Sequence, residues 1–439
     1  MLDETVRSKY KVVIGLEVHA QMLTESKAYS SDANRYGDAP NTLVSPITLG
    51  HPGTLPVMNE KTIEYAIRLG LACSCHISEK QYFARKNYFY PDLPKGYQIT
   101  QDKTPICTGG QLIIRDEHGN EKPVRLTRIH MEEDAGKSIH DIDVYDTLVD
   151  LNRAGVPLLE IVTEPDIESS QEAYNYLTEV RKLVRYLDIC DGNMEEGSLR
   201  CDANISVMLK DATEFGTKVE VKNMNSIRNV QRAIEFEINR QIETLENGGT
   251  LSQETRAFDA LKGITVSLRT KEAANDYRYF PEPDLPPLHI YQSDIDKVQA
   301  SMPPLPRALF EKYTQTLNLS EYDAYNLTDS KAIALYFEQV ILHTSNYKAA
   351  ANWIMGEVKS YLNEQGIEIE AFPLDAPRLA GLINLINDGK VSNTIAAQRI
   401  FPVMLSSSES ALSIAESLDL IQTTDNNAVE AAIKQVLDA

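Results

Sequence analysis

Alternating apolar and polar positions along residues 14–21 predict a strand. Ile14, Leu16 and Val18 face one way, and Glu17, His19 and Gln21 the other. The stretch LRCDANISVML repeats the pattern. Leu199, Cys201, Ala203, Ile205 and Val207 form an apolar face, and Arg200, Asp202, Asn204 and Ser206 a polar one. TKVEVK follows, with Val219 and Val221 opposed to Lys218, Glu220 and Lys222. Such alternation predicts an antiparallel sheet with one packed face and one wet or working face.

Two segments switch to helical spacing. In SSQEAYNYLTEVRKLVRYLDI, Ser169 and Glu172 have capping-box spacing, and Ala173, Leu177, Val180, Val184 and Leu187 form a stripe that stops at Asp191-Gly192. The second helix is predicted from about 226 to 247, with Ile227, Val230, Ile234, Ile238, Ile242 and Leu245 on one face and Gly248-Gly249 ending it. TIEYAIRLGLACSCHI also reads as a helix. The prolines of YFPEPDLPPL (279–288), followed by Pro303, Pro304 and Pro306, mark a connector. Beyond it the chain reads as helical. Ala350, Ile354, Val358 and Tyr361 share a face, APRLAGLINLINDGK closes at Gly389, and SSSES (406–410) marks a hinge.

Length divides this pattern among two or three domains, since 439 residues exceed one ordinary core. With 42% hydrophobic and 24% charged residues the chain reads as globular. No apolar run approaches the ~20 residues needed to cross a bilayer. MLDETVRSKYK lacks the hydrophobic core of a signal peptide, so the cytoplasm is the expected location. Five cysteines in so long a chain read as reduced thiols. A formal charge of −21 argues against loose nucleic-acid binding, including DNA, and leaves room only for a defined basic patch.

Candidate chemistry concentrates in acids. EDAGKS ends like a phosphate loop, but Met131 stands where a glycine is needed, so Lys137 remains only a candidate phosphate contact. CSCH (73–76) falls short of a haem-attachment motif, and no paired CxxC elements support zinc. Glu17 and His19 share one strand face. Glu132 and Glu133 end the strand-like VRLTRIHM, and Glu195-Glu196 precede the Asp202/Asn204 face. Converging, such elements would suit a divalent cation: Mg²⁺ through oxygen ligands, with His19 acting through water or favouring Mn²⁺. The same spacing also fits solvated strand ends. The loop ARKNYFYPDLPKGYQITQ (84–101) sets Arg85, Lys86 and Lys95 among aromatics, which fits either a phosphate or nucleotide contact or ordinary packing.

Seven stretches occur in order between about residues 10 and 290: IGLEVHAQ, RKNYFYPDLPKGYQITQ, HMEEDAGKS, DLNRAGVPLLEIVTEPDI, EEGSLRCDANISV, KVEVKNMNSI and DYRYFPEPDLPPL. Together they resemble the B subunit of the Asp/Glu-tRNA amidotransferases. The resemblance implies ATP-dependent phosphorylation of the side-chain carboxylate of misacylated Glu-tRNA(Gln) or Asp-tRNA(Asn). Transamidation follows, with ammonia channelled from the amidase-type A subunit, and the small C subunit ties the complex together. It implies an acid cluster holding Mg²⁺ on ATP, with Glu17, His19 and Glu133 leading and Glu132 and Glu195 next. Asp202 and Asn204 complete the polar face, and Lys86 lines the ammonia route.

The resemblance also frames two departures. Where family members often carry a four-cysteine zinc knuckle, this chain has Ser30, Asp32, Ser45 and Thr48, so no structural zinc is expected. The family's tRNA-gripping tail normally continues past AAIKQVLDA, so the tail is expected to be truncated here. The expected fold is α+β: a large, mostly antiparallel β cradle (1–296), a helical domain (297–408) and the start of a tail (409–439). Two rival readings are a metal-dependent hydrolase built on Glu17, His19 and Glu133, and an RNA-binding scaffold whose acids only end strands.

Overall fold

The computed structural model describes residues 3–116, 118–270 and 277–422. The chain divides into two compact units, Met1–Pro303 and Pro304–Ala439.

The first unit is organised by a ten-stranded sheet. Its strands include β1 (Tyr10–Gln21), β4 (Glu121–Glu133), β5 (Pro157–Thr163), β6 (Leu199–Leu209), β7 (Val219–Lys222), β8 (Glu254–Asp259) and β9 (Ile264–Thr270); β2 (Ala84–Asn87) and β3 (Tyr97–Thr100) pair outside it as a hairpin. The main order is β9-β8-β7-β6-β1-β5-β4, continuing through Cys107–Thr108 to His76–Ile77. All these pairs are antiparallel except β7 with β8. Phe280–Pro281 extends the hairpin through β2.

Alternation explains why β1 sits at the centre. Ile14, Leu16, Val18 and Ala20 are buried, while Glu17, His19 and Gln21 reach the opposite face. Each large apolar side chain buried this way contributes about 1.5–3 kcal/mol. A one-residue slip would exchange the faces, so the register is strongly specified.

Helices α1 (Glu60–Ala72), α2 (Ser170–Tyr186) and α3 (Ile227–Glu246) belong to the same unit. Ser169 caps α2 by accepting from the Glu172 N–H at 3.1 Å. The Glu172 carboxylate reaches the Glu168 N–H and Lys122 rather than closing the expected box. Helix α2 ends before the predicted Asp191-Gly192 stop, because Asp188 adopts φ 55°. Helix α3 follows its predicted span closely, with Ser226 as N-cap. Helix α1 stops at Ala72; Ser74 turns left-handed, so Cys75 and His76 leave the helix that the sequence predicted through them.

The second unit is helical. Ala350, Ile354 and Val358 are buried along a helix that passes through a π-helical turn at Ile354–Val358. Asn387 ends the APRLAGLINLIN helix just before Gly389, which has φ 72°. Of the expected tail, the helix Ala411–Ser417 is described; residues 423–439 lie outside the described residues.

Candidate active site

The site follows from register. Glu17 lies opposite Asp202 on β6. His19 lies opposite Arg200 on one side and Glu160 of β5 on the other. Glu160 lies opposite His130 of β4, and Leu158 opposite Glu132. Residues directly opposite in a ladder share a face. A polar row therefore crosses five strands, from Glu220 and Lys222 through Asp202 and Asn204, Glu17 and His19, and Glu160, to His130 and Glu132.

Two clusters form on this row. In the first, His19 Nε2 is 3.4 Å from Glu160 Oε2 and 3.7 Å from Glu132 Oε1. His130 Nε2 is 3.2 Å from the same Glu160 oxygen and 3.8 Å from Glu132 Oε2. Thr100 Oγ1 donates to Glu132 Oε2 at 3.4 Å. Burial works against ionised carboxyls here, yet His130 and His19 hold Glu160 well below the usual carboxylate range. Burial likewise opposes the His130 imidazolium, but Glu160 and Glu132 raise it to about 9. His130 Nδ1 is buried without a hydrogen-bond partner among the described residues.

The second cluster joins Glu17, Asp202 and Glu220, whose ligand atoms lie within 4.8 Å of one another. Asn204 Nδ2 donates to Glu17 Oε1 at 2.9 Å, and Thr255 Oγ1 to Glu220 Oε2 at 2.8 Å. The Lys222 ammonium bridges Asp202 and Glu220. Burial, then Glu160 and Asp202, raise the Glu17 carboxyl above its ordinary value.

The adjacent acids of MEED go to different partners. Glu132 joins the first cluster. Glu133 points away from it: its carboxylate pairs with the Lys95 ammonium and accepts the Ile99 N–H at 2.9 Å, fastening the hairpin to β4. Asp134 accepts two bonds from Arg200, at 2.7 and 3.1 Å, and one from Gln21 at 2.9 Å. Glu195 is exposed in the loop before β6 and belongs to neither cluster.

Lys86 extends from the hairpin into the first cluster's field. Its ammonium lies 5.1 Å from the centre of the Tyr277 ring. Burial lowers its pKa, but Glu132 and Glu160 outweigh this and keep it charged. Lys137 lines an open cleft of about 580 Å³ with Asp92, Ser138, His140, Asp141 and Arg153.

Ser30, Asp32, Ser45 and Thr48 also converge. Asp32 accepts from the Ser30 hydroxyl at 3.0 Å, the Ser45 N–H at 3.0 Å and the Thr48 hydroxyl. This carboxylate-centred node joins the loop ends.

Geometry thus unites Glu17, His19, Glu132, Asp202, Asn204 and Lys86 along one surface and leaves Glu133 and Glu195 off it. Glu160, His130, Glu220 and Lys222 are the additions that sequence reasoning missed. Glu160 had one available signal, a lone carboxylate within the apolar run PLLEIV.

Comparison with known proteins agrees over nearly the whole chain. A family model described as the GatB/GatE catalytic domain matches residues 12–296, and one described as the GatB domain matches 335–439. The chain is 49% identical over 430 residues to the aspartyl/glutamyl-tRNA(Asn/Gln) amidotransferase B subunit of Chlorobium phaeobacteroides, covering 98% of this chain and 90% of that one. It is 51% identical to the proteins of the same name from Chlorobaculum tepidum and Geotalea uraniireducens, with the same coverage. The chain, whose sheet assembles these clusters from β1 outward, belongs to the aspartyl/glutamyl-tRNA(Asn/Gln) amidotransferase B subunit family.

Proposed function

We propose that the face bearing His19, Glu132, Glu160 and Lys86 activates the side-chain carboxylate of Glu-tRNA(Gln), Asp-tRNA(Asn) or both. In this reading a carboxylate oxygen attacks the γ-phosphorus of ATP and ADP leaves. Ammonia then displaces phosphate from the acyl phosphate, giving the amide. The amidase-type A subunit supplies the ammonia and the small C subunit joins the assembly, in the cytoplasm. The convergence of an imidazole and two carboxylates from three strands carries the reading, because their ligand atoms lie within 4.8 Å of one another.

This donor set fits a divalent cation: carboxylate oxygens suit Mg²⁺, and the His19 nitrogen suits Mn²⁺ as well. His19, Glu132 and Glu160 would hold it, with Glu17 beside them. When bound, it supplies neutralisation of phosphate charge. The remaining work falls to the chain. Lys86 orients an anionic oxygen over the cluster, Lys137 and Asn204 offer nucleotide contacts, and Asp202 shapes the neighbouring wall. Glu133 acts as a positioning residue by holding the hairpin that carries Lys86. The segment from 409 is assigned to tRNA contact.

The test uses the chain assembled with its amidase and small-subunit partners, Mg²⁺ and charged tRNA. Glu132→Gln should abolish tRNA-dependent ATP turnover. Glu133→Gln should lower stability by roughly 2–3 kcal/mol yet leave cation affinity within a few-fold. Loss of turnover and cation binding in Glu133→Gln alone would move the site to the other side of β4.

A further inference from the structure

Cys73, Cys75 and Cys107 meet where α1 ends. Ser74 takes φ 56°, the Cys75 N–H returns to Gly70 O at 2.8 Å, and the Cys73 carbonyl accepts the Gln111 N–H at 2.8 Å. This turn carries Cys75 to the short ladder in which Ile77 pairs with Cys107. Cys75 stands two residues before Ile77, so the ladder brings it beside Cys107, whose thiol favours the Cys75 thiolate. The Cys107 thiol also faces Ala66 O at 3.7 Å.

Bare backbone makes room for both sulfurs. A Cβ on Gly110 would stand 2.6 Å from Cys75 Sγ, and one on Gly70 would stand 2.5 Å from Cys107 Sγ. Cys75 is half-buried, whereas Cys73, Cys107, Cys190 and Cys201 are buried.

The thiols also differ in ionisation. The neighbouring Cys107 thiol lowers the Cys75 thiol against burial. Burial pushes Cys190 up to about 12 and raises Cys73 and Cys201 as well. Reactive thiols are accessible, thiolate-favoured and often set beside a second cysteine.

We propose that Cys75 is an oxidant-sensitive modification site whose sulfenic acid is resolved by Cys107 as a disulfide. The oxidant is hydrogen peroxide. The Cys75 thiolate attacks the peroxide oxygen and the O–O bond breaks; with one proton taken up, the products are Cys75 sulfenic acid and water. The Cys107 sulfur, losing its proton, attacks the Cys75 sulfur and the S–O bond breaks, giving the disulfide and a second water. Two thiols are oxidised and one peroxide is reduced. Cys107 pairs with Ile129 of β4, so the bond ties the end of α1 to the strand beside His130 and Glu132. This proposal is independent of the ATP reading.

Its test treats the full chain with hydrogen peroxide and maps thiols by mass spectrometry, without and with dithiothreitol. Expected is a Cys75–Cys107 linked peptide that reductant removes. Iodoacetamide should label Cys75 at least ~10-fold faster than Cys73, Cys190 or Cys201. In Cys107→Ser, with its fold checked by circular dichroism, dimedone should trap a sulfenic acid at Cys75. Equal labelling of all five cysteines, or a link formed through Cys73, would overturn the proposal. So would intact thiols in peroxide-treated wild type, a result that requires no substitution.

Discussion

Glu132 and Glu160 meet two imidazoles; Asp202 and Glu220, across β1, meet the ammonium of Lys222. Strand β1 supplies one member to each group, His19 to the first and Glu17 to the second. Both lie on the same sheet face, the first more deeply buried, but depth does not decide which can hold a cation. The counter-charge does. An ammonium is a fixed internal cation with three donors and no lone pair. An imidazole can give up its proton and offer a nitrogen. The first cluster can therefore exchange its protons for a metal, while two acids of the second already share an ammonium of their own chain.

The largest effect should separate the clusters directly. In the assembled enzyme, Glu160→Gln should reduce tRNA-dependent ATP turnover by ~100-fold or more and weaken Mn²⁺ binding in parallel. Asp202→Asn in the second cluster should cost less than ~10-fold, because Lys222 and Glu220 remain. Equal losses would erase the distinction and make the polar face one undivided site.

Next comes removal of the internal cation. Lys222→Met leaves Glu17, Asp202 and Glu220 without their ammonium. Calorimetric Mn²⁺ titration should then change from one binding event to two, the new one weaker. The Lys222 side chain is 33% exposed, so the stability loss should stay near 1–2 kcal/mol. An unchanged stoichiometry would mean that geometry, rather than counter-charge, keeps metal out of the second cluster.

These contrasts show what the sequence made legible. Strands β1, β6 and β7 were readable because each buries one face, so apolar and polar residues alternate. Strand β5 was not: in PLLEIVT all but Val162 are buried, Glu160 included, which removes the period of two. Adjacent Glu132 and Glu133 necessarily point to opposite sides of a strand. Which side holds the site depends on pairing with β5, and that pairing is a tertiary fact. Lys95, which claims Glu133, lies 38 positions away, so local spacing gave no warning. Helix existence was clear, while helix ends depended on single left-handed residues such as Ser74 and Asp188.

A smaller effect should come from the support beneath Lys86. Arg85 donates to Glu282 at 2.8 and 2.9 Å and to Asp284 at 3.1 Å. This fork holds the segment that carries Tyr277 against the hairpin that carries Lys86. Glu282→Gln keeps the shape but loses the bidentate charge pair. Turnover should fall roughly 10-fold with little change in the KM for ATP. A change confined to KM would instead assign the fork to nucleotide binding.

The smallest effect lies outside both clusters and tests the same logic of counter-charge. Lys27 is fully buried, and its ammonium donates to Leu43 O at 2.6 Å. Burial lowers its pKa to about 8, although Asp32, Glu133 and Asp150 pull it upward. Here the acids do not fully offset desolvation, unlike those around Lys222. Between pH 8 and the ordinary lysine value near 10.5, the unfolded chain binds more protons than the folded one. Stability should therefore rise with pH through this window, and below about 8 the full penalty of the buried charge remains. From pH 8 to 9.5 the gain should be roughly 1–2 kcal/mol, read from urea midpoints. Lys27→Met should remove that slope. A wild-type curve that stays flat or falls, matching the variant, would mean that the neighbouring carboxylates neutralise Lys27 as completely as Asp202 and Glu220 do Lys222.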